Sequence, residues 1–390
     1  MRRRRLRQAY RLPNGRAPRR RPTINTLPAH YGDALKQKQL IVGLVVLAAL
    51  IALVIWGRDR IHFDFGVFRA QLAQADWVRI AIGMGCIYLA YVFRSVRWAW
   101  LLRHNKPVPM LSLLGTQVIG FTAVALIGRV ADPVRPYLVS RKTGLPLSSQ
   151  VAVYIVERLF DFGSMALVFS SAILLSSWFG AVGEMPHAEL VKKAGMWGLA
   201  ATSAGALFLV AVRFAGGAVA TFLEGALSLV SKKIGHAVGN KIREFRTGLD
   251  TMRSLKDFLV ALSLSVSMWL LIAASYLETM RAFVADPVLA AMTPAKCVLM
   301  MVVSGATSVV QLPVLGWFTQ TGVVAAVISK FFDVQPEPAT ACAATLLLVT
   351  FLCIVPVGLI WAQFEHVSLR KVTEESEHAE EDLEASGAAE

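Results

Sequence analysis

Residues 120–161 read GFTAVALIGRVADPVRPYLVSRKTGLPLSSQVAVYIVERLFD, a polar loop between two apolar segments. The second apolar segment carries the charged residues Glu157, Arg158 and Asp161. A charge at the centre of a membrane-spanning helix costs about 2.5–3.5 kcal/mol, so these residues together cost about 8–10 kcal/mol. The apolar side chains around them return only about 4–7 kcal/mol. This helix therefore needs other helices that shelter its charges.

The composition indicates a polytopic membrane protein. Of 390 residues, 55% are hydrophobic and only 17% are charged, whereas about a quarter of the residues of a soluble protein are charged. Several apolar windows are long enough to cross a bilayer, and the strand alternation of a membrane barrel is absent. We predict an all-α membrane protein with about six to eight transmembrane helices. The predicted spans are residues 40–56, 77–102, 148–178, 195–212, 258–280 and 340–363.

Two further apolar segments are interrupted. Residues 111–127 are short, break at Gly128 and have basic residues at both ends. Residues 295–311 and 317–331 flank a second break around Pro313. We interpret each as a re-entrant pair of half-helices, which is tolerated only where protein or a water-filled cavity surrounds the break. Two such pairs predict an inverted repeat with a site near the membrane midplane. The alternative is that each pair forms ordinary spans.

Charge patterning predicts the organisation of the chain. Residues 1–38 form a basic arm, residues 39–365 the membrane domain and residues 366–390 an acidic tail. Basic residues near the end of the second span, including Arg94, Arg97 and Arg103, place that end on the cytoplasmic side, and we expect both termini there. Next to a membrane span, a basic arm indicates topology and anionic lipid rather than nucleic acid. The first apolar run begins too late for a signal peptide and is interpreted as a retained span.

Three charges share one face of the 148–178 helix. Asp161 lies about 40° from Glu157 around the helix, and Arg158 about 100°. Arg158 and Asp161 are spaced i, i+3 and can pair. Glu157 then needs another cation, and Arg129 or Arg135 is nearest in sequence. The cluster is either a polar cavity wall that binds a charged headgroup or a structural ion network that clamps broken helices.

The loop after Gly128 offers guanidinium groups suited to a lipid phosphate, although these arginines can also serve only topology. The candidate headgroup-binding residues are Arg129, Asp132, Arg135, Glu157, Arg158 and Asp161. The second half offers neutral counterparts, of which hydroxyl groups often bond their own backbone. The second-half candidates are Gln311, Pro313, Gly316, Thr319 and Gln320.

Signatures of catalysis and of metal binding were sought and not found. The sequence has no nucleophile elbow, no zinc-protease helix motif and no phosphate-binding Walker loop. Its four cysteines lie in apolar segments without zinc spacing. We predict no enzyme activity, no metal site and no cofactor.

Residues 128–161 resemble the transmembrane, flippase-like domain of lysylphosphatidylglycerol synthases. The family pattern is G-R-x-G-E-x-x-R, then a serine, then E-R-x-x-D on the following helix. The residues that follow this order are Gly128, Arg129, Arg135, Ser148 or Ser149, Glu157, Arg158 and Asp161. Ala131 and Asp132 stand where the family has Gly-Glu, which keeps the acid but shortens it.

The resemblance extends over roughly residues 40–365 and departs from the family in the second half. The family pattern there is P-G-G-x-G-x-x-E, and this sequence has Pro313, Leu315, Gly316 and, in place of the glutamate, Thr319. Complete synthases add a soluble aminoacyl transferase domain after the membrane part. An acidic tail follows here, so the resemblance implies the stand-alone form without synthase activity.

The resemblance implies a flippase-like protein of the bacterial inner membrane. Such a protein would translocate or bind a phospholipid or lipid-linked substrate through a midplane polar cavity. Its partners would be membrane lipids, above all anionic phospholipid. The alternative is a non-transporting membrane partner, which docks a cytoplasmic lipid-modifying or glycosyl-transferring enzyme through the basic arm and the acidic tail.

Overall fold

The all-α prediction is confirmed. In the computed structural model, every regular element of the described residues is a helix. The described residues are 64–175, 188–228, 231, 236, 254–307, 315–369 and 371–376. The basic arm, the predicted span 40–56, the residues Gln311 and Pro313, and the tail beyond residue 376 lie outside them.

The described α-helices follow one another with short connections. They are α1 (Phe65–Ala73), α2 (Trp77–Leu102), α3 (Leu114–Ile127), α4 (Val134–Thr143), α5 (Leu147–Leu174), α6 (Ala188–Ser228), α7 (Leu255–Arg281), α8 (Pro287–Ala290), α9 (Pro294–Thr307), α10 (Leu315–Phe332), α11 (Pro336–Leu347) and α12 (Ile354–Phe364). A 3-10 turn, Arg129–Ala131, joins α3 to α4, and a π-helical turn, Leu348–Leu352, joins α11 to α12.

Side-chain caps fix where several helices begin. The Asp64 carboxylate accepts from the backbone N–H of Gly66 and Val67 at the start of α1. Asp76 caps α2 in the same way. The α7 helix starts with a capping box, in which Ser254 and Asp257 each accept from the other's backbone N–H. Such caps satisfy N–H groups that the helix cannot, and each stabilises its helix by about 1 kcal/mol.

Three helical segments of the described chain are long and apolar enough to cross a membrane: Trp77–Leu102, Leu255–Arg281 and Pro336–Phe364. These agree with the predicted spans 77–102, 258–280 and 340–363, although a π turn divides the last. The predicted span 148–178 corresponds to α5, which is 28 residues long and carries the charge cluster. The predicted span 195–212 lies inside α6, whose backbone is kinked at Ala215.

The interrupted segments are short helices. α3 and α9 both have 14 residues, too few to cross a bilayer as straight spans. α3 ends at Gly128, whose φ of 96° belongs to glycine. α4 follows and ends at Gly144 in the left-handed conformation. The re-entrant geometry and the inverted repeat remain predictions.

The packing brings α2, α4 and α5 together. α2 packs along α7, α5 packs against α6 and α7, and α3 packs against α12 and α4. α3 and α12 approach closely, because a Cβ atom on Gly358 would overlap Thr122 of α3. A large apolar core, formed mainly by α7, α9, α10 and α11, lies in the second half and includes Val168 and Ile173 of α5. The polar face of α5 is thus held between its neighbours.

Candidate functional site

Arg97 of α2 connects the two carboxylates of α5. Its Nη2 lies 2.8 Å from Glu157 Oε1, and its Nη1 lies 2.7 Å from Asp161 Oδ1. The same Nη1 lies 2.6 Å from the Ser265 hydroxyl of α7, which itself donates to the Ala261 carbonyl. The side chains of Arg97 and Glu157 are each 1% exposed. One guanidinium therefore fixes α2, α5 and α7 around a buried ionic centre.

Two further arginines reach the same carboxylates. Arg94 of α2 lies 3.4 Å from Asp161 Oδ2 and 3.6 Å from Glu157 Oε1. Arg158 lies 2.7 Å from Asp161 Oδ2 and 3.1 Å from Glu157 Oε1. The predicted pairing of Arg158 with Asp161 is therefore present. Arg158 is 25% exposed and Arg94 is 11% exposed, so the centre is reached from their side.

Arg135 of α4 is the fourth cation. Its side chain is fully buried, and Nη1 lies 3.4 Å from Glu157 Oε1. Its guanidinium lies 4.4 Å from the ring centre of Phe121 and 4.7 Å from that of Tyr154. Both contacts are cation–π interactions, which favour a planar guanidinium over an ammonium. Gly120 of α3 makes room for this side chain, because a Cβ atom there would overlap Arg135.

The cluster carries more positive than negative charge. Four guanidinium groups face two carboxylates, so two positive charges are left over if all ionise normally. Several polar atoms also have no hydrogen-bond partner among the described residues. They are Nε and Nη2 of Arg135, Nε of Arg97, Nε of Arg158 and Oε2 of Glu157. Buried polar groups are normally satisfied, so these donors indicate an anionic ligand or ordered water.

Arg129 and Asp132, the other predicted residues of the first half, lie beside the cluster. They pair with each other at 3.5 Å and are partly exposed. Asp132 lines a cavity of about 70 Å³ together with apolar residues and Tyr154. Since the Tyr154 ring also contacts Arg135 and Arg158, the cavity and the cluster share one wall. The lining residues are Asp132, Pro133, Pro136, Leu147, Val151, Tyr154 and Ser376.

The predicted second-half residues that are described lie on α10. Gly316 is buried and Thr319 is exposed. Gln320 is buried, and its Nε2 donates to the Ser304 hydroxyl of α9 at 2.6 Å. This bond joins α9 to α10, and no hydrogen bond links either residue to Glu157 or Asp161.

Sequence reasoning missed two residues of the cluster. Arg94 and Arg97 were assigned to membrane topology because they stand near other basic residues at the end of a span. One signal was present in the sequence. They are spaced i, i+3, and the helix continues past them for another apolar turn to Leu102. An arginine inside that turn has no water to reach and needs a partner.

These observations define the class: an all-α membrane protein whose buried arginine–carboxylate cluster joins several helices. The family model described as "Lysylphosphatidylglycerol synthase TM region" matches residues 40–358. The chain therefore belongs to that family of flippase-like membrane proteins. No significant match was found among curated proteins or among solved structures.

Proposed function

We propose that this protein translocates a lipid with an anionic phosphate headgroup, and that the cluster around Glu157 receives that headgroup. The observation that carries the proposal is the excess of two positive charges in a buried site with unused N–H donors. A purely structural ion network has no need of surplus charge, because unbalanced buried charge is costly. One or two phosphate groups would neutralise the excess and accept the free donors.

The proposed path uses the two sides of Tyr154. The phosphate binds among Arg135, Arg158 and Arg94, while the apolar cavity beyond Tyr154 takes part of the acyl or glycerol portion of the lipid. Guanidinium groups suit this task because their fork of donors matches phosphate oxygens. Glu157 and Asp161 hold the arginines apart and in place, so that the site is preorganised before the lipid arrives.

We further propose that the protein lies in the bacterial inner membrane with both termini on the cytoplasmic side. The supporting observation is the large share of basic residues in the loops predicted to be cytoplasmic.

The test is transbilayer movement of fluorescent phosphatidylglycerol in vesicles that contain the purified protein. Wild type is compared with Arg135→Gln and Glu157→Gln. Arg79→Gln is the matched control, because Arg79 also joins α2 to a neighbouring helix through a 2.9 Å ion pair with Glu278, but outside the cluster. We expect movement that Arg135→Gln and Glu157→Gln abolish and Arg79→Gln retains.

Movement of phosphatidylglycerol that persists in folded Arg135→Gln and Glu157→Gln would overturn the assigned site. If the wild type moves neither phosphatidylglycerol nor other labelled lipids, the transport proposal fails. The function would then be that of a membrane partner for an enzyme, tested by deletion of residues 1–38.

A further inference from the structure

The acidic residues that follow α12 fold back onto α4. The Tyr137 hydroxyl donates to Glu375 Oε2 at 2.8 Å, and Arg141 Nη1 lies 3.6 Å from the same oxygen. Nearby, Lys142 Nζ donates to Glu365 Oε1 at 2.8 Å. We name residues 365–369 and 371–376 the C-terminal strap. Its carboxylates thus contact each hydrogen-bonding or cationic group named on this part of α4.

Apolar contacts hold the strap in place. Val372 is 3% exposed and belongs to a cluster with Ile119 of α3 and Val134 and Leu138 of α4. Val367 and Leu369 pack against the same cluster. Ser376 is buried and lines the cavity beside Tyr154. The strap therefore closes one side of the cavity that adjoins the arginine cluster.

The groups that Glu375 contacts would suit a phosphate equally well. A phenolic hydroxyl and an arginine fork, with a lysine one residue further along the helix, are common partners of phosphate oxygens. A glutamate carboxylate presents the same charge sign and similar acceptor atoms. In this structure the strap occupies an anion-binding face on α4, and that face lies next to the cavity.

We propose that the C-terminal strap is a displaceable closure, whose Glu375 occupies on α4 a first binding site for the headgroup of an anionic phospholipid. An arriving headgroup competes with Glu375 for Tyr137 and Arg141, and release of the strap opens the cavity beside Tyr154. The proposal deepens the proposed function and rests on it for the fate of the lipid. The competition itself is tested without transport.

The experiment measures how often the strap lies at the cavity. Val151→Cys and Ser376→Cys are combined in a protein whose native cysteines are replaced by alanine, because both positions line the cavity. The protein is placed in nanodiscs of phosphatidylcholine alone or of phosphatidylcholine and phosphatidylglycerol in equal parts. A short bifunctional maleimide then cross-links the two thiols.

We expect the cross-linking rate to fall about two- to fivefold when phosphatidylglycerol is present, the effect of losing one partly exposed ion pair. Glu375→Gln should give the low rate in both lipids. The pair Val151→Cys with Pro133→Cys is the control, because it lies in the same cavity but does not involve the strap. Its rate should be equal in both lipids.

Equal strap cross-linking in both lipids and in Glu375→Gln would overturn the proposal, as would no cross-link in phosphatidylcholine while the control pair reacts. A rate that responds to phosphatidylglycerol in a protein that moves no lipid would keep the strap proposal and reject transport. Should the cysteine variants fail to fold, Glu375→Gln in the native chain is measured for lipid movement. A faster rate than wild type supports the closure, and an unchanged rate rejects it. Glu189→Gln, which breaks a surface pair with Lys192, controls for loss of one charge.

Discussion

Arg97 and Asp161 face each other between α2 and α5, with Nη1 2.7 Å from Oδ1 and side chains 1% and 6% exposed. Removing one partner leaves the other as an uncompensated buried charge, which costs about 3–5 kcal/mol. We therefore expect Arg97→Gln and Asp161→Asn each to lower the free energy of unfolding by about that amount. Because the residues touch, the double variant should lose less than the sum. Denaturant unfolding in detergent measures all three.

Arg79→Gln is the control for this prediction. Arg79 pairs with Glu278 at 2.9 Å, but the two side chains are 40% and 24% exposed. Partly exposed pairs contribute about 0–1 kcal/mol. Equal losses for Arg79→Gln and Arg97→Gln would contradict the buried ionic centre.

Gly120→Ala should displace Arg135 without removing it. The added methyl group would occupy the place of the Arg135 side chain, close to its Cβ and Cγ. The guanidinium would then lose its position between Phe121 and Tyr154, so we expect lipid movement to fall strongly while the helical content is kept. The measurement is the vesicle assay together with circular dichroism. Gly163→Ala on α5 is the control, since a Cβ atom there meets nothing within 4 Å.

The contact between Tyr137 and Glu375 should depend on pH. Burial, and next the hydrogen bond to Glu375, raise the pKa of Tyr137 above its ordinary value. A raised pKa means that the folded protein favours the neutral phenol. The stabilisation is therefore complete below about pH 10 and is lost as the pH rises through the raised pKa.

This pH dependence is measured by phenolate absorbance, as the difference between wild type and Tyr137→Phe. Glu375→Gln should lower the pKa of Tyr137 toward that of an ordinary tyrosine, because the carboxylate contributes to the rise. An identical titration with and without Glu375 would show that the strap does not contact Tyr137 in solution.

The Gln320–Ser304 bond allows the role of the second half to be tested. Gln320→Leu leaves the buried Ser304 hydroxyl without this partner, which should cost about 1–3 kcal/mol. We expect lower stability but normal lipid movement, because this bond does not reach the arginine cluster. Thermal unfolding and the vesicle assay measure the two effects. Transport lost in a folded Gln320→Leu protein would instead place the second half in the lipid path.

Sequence reasoning reached the fold class and the shelter that α5 requires, because hydropathy and the cost of intramembrane charge are local quantities. It also reached the Arg158–Asp161 pair and offered Arg135 as a partner for Glu157. It did not reach Arg97, which lies 60 residues from Glu157 along the chain. Which face of α2 meets α5 depends on the packing of α2 along α7. That packing is set by many small side chains and leaves no short motif.

The strap was also not foreseen. An acidic sequence after the last span indicates a solvated tail, and no pattern in it names α4 as its contact. The docking depends on Val372 reaching an apolar patch formed by α3 and α4, two helices more than two hundred residues earlier. Such a patch exists only once α3 and α12 are packed.

The distribution of the cluster over three helices has a consequence for biosynthesis. The ribosome makes Arg94 and Arg97 well before it makes Glu157 and Asp161, so α2 enters the membrane before its counter-charges exist. Until α5 arrives, those arginines must stay near the lipid headgroups or pair with other groups. The final depth of α2 can therefore be set only after α5 has been synthesised. A ribosome stalled between the two helices should leave α2 shallower than in the finished protein.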